Sequence, residues 1–328
     1  AVRIPGSSKG IFDMLLSRVA ERIYWLARYL ERAQNTTQLI NVQCHVILDL
    51  PFGTDLGWET ILSITSTESS FFSRYKNLTE RNIVKFMLAD LDNPGSIMTS
   101  LRNARENIRT TRDILPFVLW EEVNELYLYA NDNVAASLAR RDRYKFLENI
   151  RCGCQQISGL LERNLNRDEI YDFIKLGSHI ERADMTTRIL DVAASSLLNR
   201  DRSASAIDDL LWMSVLKSLQ GLTMYRRLYG PKVIAKDVVQ FALTYRQYPC
   251  AVGHSMQQIE SLLATFKNHG EAKKITQSIL QQMKDTDFSS LLEEPSAEKG
   301  LHSFLDHIQI GLTDLHNKIS NTWFEYEP

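Results

Sequence analysis

Apolar residues recur along this chain by threes and fours. From Leu15 the positions Val19, Ile23, Leu26, Leu30, Ala33 and Ile40 fall on one stripe of a helix, which the pattern carries to about Asp49. PFGTD at 51–55 interrupts it, and a second helix is expected from Trp58 to about Tyr75. DNPGS at 92–96 reads as a turn before SIMTSLRNARENIRTTRDIL, and Pro116 opens the next helix. Segments 117–139, 142–165, 168–199 and 206–228 follow as helices with short polar joints. Gly230-Pro231 breaks the run, and 235–267, 271–285 and 301–324 complete it with more irregular joints, EEPSAEKG among them.

No stretch sustains period-two alternation with β-branched enrichment, so no sheet is expected. Glycine (14) and proline (8) are scarce, and no proline occurs between Pro116 and Pro231, which leaves room for long uninterrupted helices. The fold expected is all-α, a multi-helix bundle. Residues 1–13 lack the helical period and are expected to be a cloning remnant or an upstream extension, with 14–328 forming a single helical domain.

Composition changes this picture little. A chain of 328 residues with 44% hydrophobic content can bury a substantial core. Thirty-eight Lys plus Arg against forty Asp plus Glu give a net charge of −2, so no global field favours nucleic acid or an anionic membrane. Cys44, Cys152, Cys154 and Cys250 show no CxxC spacing, and reduced thiols in a cytoplasmic protein are expected. No apolar run is long enough to span a bilayer, and the start lacks the layout of a signal peptide.

One phrase is written twice. LERAQNTTQLI at 30–40 and IERADMTTRIL at 180–190 share Glu-Arg-Ala and Thr-Thr, with apolar matches at both ends. Duplication of a half-bundle, 14–140 and 141–328, accounts for it, each half contributing a Glu-Arg helix in a pseudo-symmetric arrangement. Glu21 has Arg18 and Glu31 has Arg28 at i−3 as local partners. Arg22 and Arg32 have no acid three or four residues away, and neither Glu181 nor Arg182 has an opposite charge at those spacings. Their partners must come from water, another helix or a ligand. A face-to-face packing would let Glu31 meet Arg182 while Arg32 meets Glu181. That arrangement is a structural cross-brace; the alternatives are a site for an anion or peptide carboxylate, and plain surface exposure.

SRVAERIYWLARYLERAQNTTQLI at 17–40, DNPGSI at 92–97, ARENIRTTRD at 104–113 and FIKLGSHIERADMTTRILDV at 173–192 resemble the bacterial Alpha-E family, an all-helical domain known for its Glu-Arg motif. By that resemblance the Glu-Arg elements fall on Glu21 and Arg22, Glu31 and Arg32, and Glu181 and Arg182. The Asn-Pro turn falls on Asn93 and Pro94, and the Arg-Glu-Asn element on Arg105, Glu106 and Asn107. Where the family pattern has Pro-Arg-Ser-Val, this chain has Pro249, Cys250, Ala251 and Val252, which removes an arginine. The resemblance implies a setting beside a circularly permuted ATP-grasp ligase and a transglutaminase-like protein, in a system that makes or processes peptide or amide bonds.

Motifs of catalysis are scarce. The sequence has no phosphate-binding glycine loop, HExxH, nucleophile elbow or Glu-x-x-His pair, so no cofactor or metal is expected. Ser73/Lys76, Ser214/Lys217 and Ser296/Lys299 have the Ser-x-x-Lys spacing that chance supplies in such a chain. His302, Asp306 and His307 read as surface residues. His179, beside the second Glu-Arg, invites an acid-base role, although a satisfied interhelical hydrogen bond fits it better. Arg102, Arg105, Arg109 and Arg112 march along one helix face and, with Arg22, Arg32 and Arg182, would line an anion-binding groove or a solvated basic face. The leading expectation is an accessory or scaffold protein of the peptide-bond-forming system, and the alternative is an enzyme that processes amide bonds in an interhelical Glu/Arg pocket.

Overall fold

A computed structural model describes residues 9–49, 57–197, 205–291 and 297–325. Fifteen helices run through the described residues, and no strand occurs among them. In chain order they are α1 (Lys9–Asp49), α2 (Glu59–Thr65), α3 (Glu68–Phe72), α4 (Glu80–Leu88), α5 (Ile97–Thr111), α6 (Phe117–Ser137), α7 (Arg140–Asn164) and α8 (Glu169–Leu197). There follow α9 (Ser205–Ser218), α10 (Leu222–Tyr229), α11 (Ala235–Thr244), α12 (Val252–Leu263), α13 (Gly270–Asp285), α14 (Phe288–Leu291) and α15 (Ala297–Ile319), which closes in a wide turn at Ser320–Phe324.

α1 and α8 form the central pair. α1, at 41 residues about 60 Å long, packs against α5, α7, α8 and α9, while α12 and α15 cover the other side of α8. Its stripe of Ile23, Leu26, Leu30, Ala33 and Ile40 is buried, as is the facing stripe of Leu176, Ile180, Ala183 and Leu190. The two backbones approach closely at Gly177, where a Cβ would stand 2.3 Å from the Tyr24 carbonyl oxygen. Tyr24 itself is fully buried and shares a 2.9 Å hydrogen bond with His316 Nδ1, which ties α15 to α1.

Several boundaries differ from the sequence reading. α1 starts at Lys9, ahead of Met14. The helix expected over 58–75 divides into α2 and α3 at Ser66, whose φ of 52° is left-handed. Gln220 (φ 60°) divides the 206–228 segment into α9 and α10 in the same way. The 235–267 segment is broken between α11 and α12, where Pro249 cannot supply a helical N–H. α4, capped by the Thr79 hydroxyl accepting from the Asn82 N–H, had no counterpart in the apolar pattern. The PFGTD break, most of the 1–13 segment and the first half of EEPSAEKG lie outside the described residues. No helix among the described residues is long and apolar enough to cross a membrane.

One substitution tests the packing at two places with opposite signs. Gly177→Ala must push α8 off α1 and should cost about 1–3 kcal/mol. Gly159→Ala in α7 meets open space and should gain up to about 1 kcal/mol from helix propensity alone. Thermal melts of the two variants check both signs.

Candidate functional site

The repeated phrase places Glu31-Arg32 on α1 against Glu181-Arg182 on α8. Arg182 holds Glu31 through two parallel bonds, Nε to Oε1 at 2.7 Å and Nη2 to Oε2 at 2.9 Å. Arg32 holds Glu181 likewise, Nε to Oε1 at 2.5 Å and Nη2 to Oε2 at 3.0 Å. A planar guanidinium fork matches a carboxylate edge to edge, so each pair is bidentate. Both carboxylates are buried, at 3% and 7% side-chain exposure, whereas Arg32 and Arg182 keep 22% and 23%, so the cations are the side of the brace that reaches solvent.

Arg28 adds a third guanidinium. Its Nε donates to Glu181 Oε2 at 2.7 Å, and its guanidinium lies 4.9 Å from the centroid of the Trp25 ring. The sequence had assigned Arg28 to Glu31 within α1; the folded chain turns it to α8, one helical turn below Arg32 on the same face. Burial is the largest single influence on Glu181 and opposes its ionisation, but Arg28 and Arg32 together bring its pKa down to about 2.

The paired threonines of the two phrases also act alike. Thr36 donates to the Gly95 carbonyl at 3.3 Å, and Thr186 donates to the Cys250 carbonyl at 2.9 Å, so each phrase grips the turn that leads into a neighbouring helix. Thr37 and Thr187 bond back to Ala33 and Asp184 of their own helices, and the Thr186 hydroxyl also lies 2.9 Å from the Arg182 carbonyl. The Asn93-Pro94-Gly95-Ser96 turn is locally determined. Asn93 Oδ1 accepts from the Gly95 N–H at 2.9 Å, its Nδ2 donates to the Phe86 carbonyl, and Ser96 caps α5 by accepting from Thr99 N. Cys250, where the family pattern has arginine, has its thiol pKa raised by burial and partly offset by the charge of Arg182.

Beside the brace lies a polar cleft of about 260 Å³. Arg32 and Thr36 line it from α1, Pro94 and Gly95 from the turn, and Glu181, Asp184 and Arg188 from α8. The α2–α3 joint closes it with Thr65, Ser66 and Thr67. Arg188 is held in place by Asp184 (2.8 Å) and by the Ser66 hydroxyl (2.6 Å). In the lining Arg32 and Arg188 match Glu181 and Asp184 in charge under a ceiling of hydroxyls, and Arg28, bonded to Glu181 from outside the cleft, adds one positive charge behind it. Such a site suits a carboxylate or another oxyanion.

Other candidates lie elsewhere. Glu21 is exposed, and neither it nor Arg22 pairs with the junction. Arg105 turns to α6, donating to Asn124 Oδ1 at 2.7 Å between Trp120 and Tyr127, so it clamps two helices instead of lining the cleft. Glu106 pairs with Arg109 on the exposed face of α5, and the Asn107 carbonyl accepts from Thr110 and Thr111. The arginine stripe of α5 is thus separate from Arg32 and Arg182. His179 is buried beside His254, its Nδ1 finds no partner, and burial followed by Arg182 holds its pKa well below the usual value. His302 contacts Asp191 of α8 and His307 the Ser303 carbonyl. The sequence reading missed Arg28, Asp184, Arg188 and Ser66; the i−4 spacing of Arg28 to Arg32 was a usable signal, whereas Ser66 had none.

Removing one partner of the brace strands a buried charge. Arg182→Ala should cost about 3–5 kcal/mol, and Glu31→Ala added to it should cost less than the sum of the two. Chemical denaturation of the single and double variants measures this. The depressed pKa of Glu181 contributes stability that is full above its ordinary 4.5 and is lost as pH falls through about 2. Denaturation midpoints between pH 5 and 2 should fall for the wild type. In Glu181→Gln that part of the slope should vanish, from a lower starting stability.

No solved structure matches this chain. Uncharacterised proteins of Mycobacterium bovis and Mycobacterium tuberculosis are each 22% identical to it over 280 residues, covering 79% of this chain. The chain corresponds to 30% of the length of those relatives. The profile of a family described as a predicted alpha-helical domain with a conserved ER motif matches residues 15–324, which takes in every Glu-Arg element above. The chain belongs to the Alpha-E family.

Proposed function

We propose that this chain is a recognition module, cytoplasmic and without a catalytic step of its own, that serves a peptide- or amide-bond-forming system. In this reading the cleft beside the brace takes an acidic group of a peptide-like substrate. The observation that carries it is the convergence of both Glu-Arg phrases and the Asn-Pro turn on one polar cleft that holds Arg32 and Arg188. The partners, an ATP-grasp ligase and a transglutaminase-like protein, come from the family resemblance.

The chemistry of the cleft favours binding over amide processing. Glu181 is ionised at any physiological pH, with both oxygens engaged by arginines, so it is poorly placed to carry a proton. Arg32 and Arg188 retain N–H groups directed to no protein acceptor, which is what a bound carboxylate requires.

Calorimetric titration with a short acidic peptide, as its C-terminal acid and as its amide, tests the reading. Arg188→Gln should weaken binding of the acid form by about tenfold or more, the worth of one charge-assisted hydrogen bond. Its melting temperature should stay near that of the wild type, because the Glu31–Arg182 and Arg32–Glu181 pairs are untouched. Equal affinity of wild type and variant for the acid form would remove the cleft from the function.

A further inference from the structure

A second cavity, of about 180 Å³, lies where the C-terminal part of α1 meets α7 and the starts of α2 and α4. Its chemistry is unlike that of the polar cleft. Ile47, Leu147 and the rings of Trp58 and Tyr144 give it walls that are largely carbon. Tyr144 stands at the rim, 55% exposed and edge-on to His45.

Charge enters from one side. Arg143 is only 3% exposed; it donates to Glu80 Oε1 at 2.8 Å and to the Leu138 carbonyl at 3.0 Å, with its guanidinium 5.8 Å from the centroid of the Trp58 ring. Arg140 grips the same carboxylate through Nε at 2.9 Å and through Nη2. Two guanidiniums therefore share one carboxylate, and the cavity is locally cationic. The Arg143 Nε–H is buried without an acceptor, so that its charge is only partly compensated beside the cavity. The side-chain amide of Asn41, half-buried and also in the lining, makes no hydrogen bond to another described residue and is open to solvent.

We propose that this cavity binds a small aromatic monocarboxylate, its ring between Trp58, Tyr144, Ile47 and Leu147 and its carboxylate towards Arg140, Arg143 and Asn41. The volume fits one six-membered ring, since an apolar cavity of about 150 Å³ holds benzene. The walls are too apolar and the space too small for a nucleotide, and the excess of one positive charge matches a single carboxylate. Burial raises the pKa of the Cys44 thiol, 3.7 Å from Arg143 Nη1, so at neutral pH little of it is thiolate and the cavity is one for binding. This inference does not depend on the occupant of the polar cleft.

Cys44 provides the readout. It lines the cavity, whereas Cys152 is exposed on the outer side of α7 and serves as an internal control. At alkaline pH, where part of the Cys44 thiol is ionised and its alkylation is measurable, the full chain is treated with iodoacetamide at a series of benzoate, benzyl alcohol and acetate concentrations, and the modification of each cysteine is followed by peptide mass spectrometry. Benzoate should slow Cys44 severalfold and leave Cys152 unchanged, and benzyl alcohol should need about tenfold more for the same protection. Acetate, lacking the ring, should not protect. Arg140→Gln, at an exposed position, should bring benzoate and benzyl alcohol to parity. An unchanged Cys44 rate at saturating benzoate, or equal slowing of Cys44 and Cys152, overturns the site. Equal protection by benzyl alcohol in the wild type overturns the assignment of a carboxylate.

Discussion

Two buried carboxylates and the two arginines that hold them, set between two long helices, impose the constraint on which the remaining architecture depends. Placing Glu31 and Glu181 out of water costs several kcal/mol each, and only a well-formed pair of hydrogen bonds returns it. The return is available in one alignment of α1 and α8. A slip by one turn would strand carboxylates against apolar neighbours, so the charges specify the register of two faces whose apolar stripes alone would tolerate sliding. The contact at Gly177 acts in the same direction, because only there can the α8 backbone come that near the Tyr24 carbonyl.

From this register the polar cleft follows. With α1 and α8 fixed, Thr36 can reach Gly95 and Arg188 can reach Ser66, and a turn and a loop far apart in sequence become two sides of one space. The brace and the cleft share side chains without sharing a task. The carboxylates are consumed within the brace, and the outer N–H groups of the arginines are left for the cleft. Arg28 makes the arrangement unequal, since Glu181 answers to two guanidiniums and Glu31 to one.

Much of this could be read from the residues. The apolar period gave the long helices, and the absence of acids near Arg32 and Arg182 pointed to partners outside their own helices. What stayed hidden has physical causes. Ser66 and Gln220 adopt left-handed backbone at residues whose side chains do not announce it, so α2 and α9 seemed to run on. Arg28 had an acid at i−3, and a local pairing worth a few tenths of a kcal/mol gave way to a buried charge-assisted bond with Glu181. Arg105 looked like a cation in search of an anion and is satisfied by an amide and two rings on α6. Cleft residues on the α2–α3 joint carried no motif, because they arrive there only through tertiary packing.

α1 carries Arg32 at the polar cleft and Cys44 at the carbon-walled cavity with no break between them. Twelve helical steps separate the two, about 18 Å along the axis. The helix is therefore a ruler. Its graduations are set by peptide geometry, not by loops that can lengthen or fold, and any single molecule that engaged both places would have to be cut to that measure.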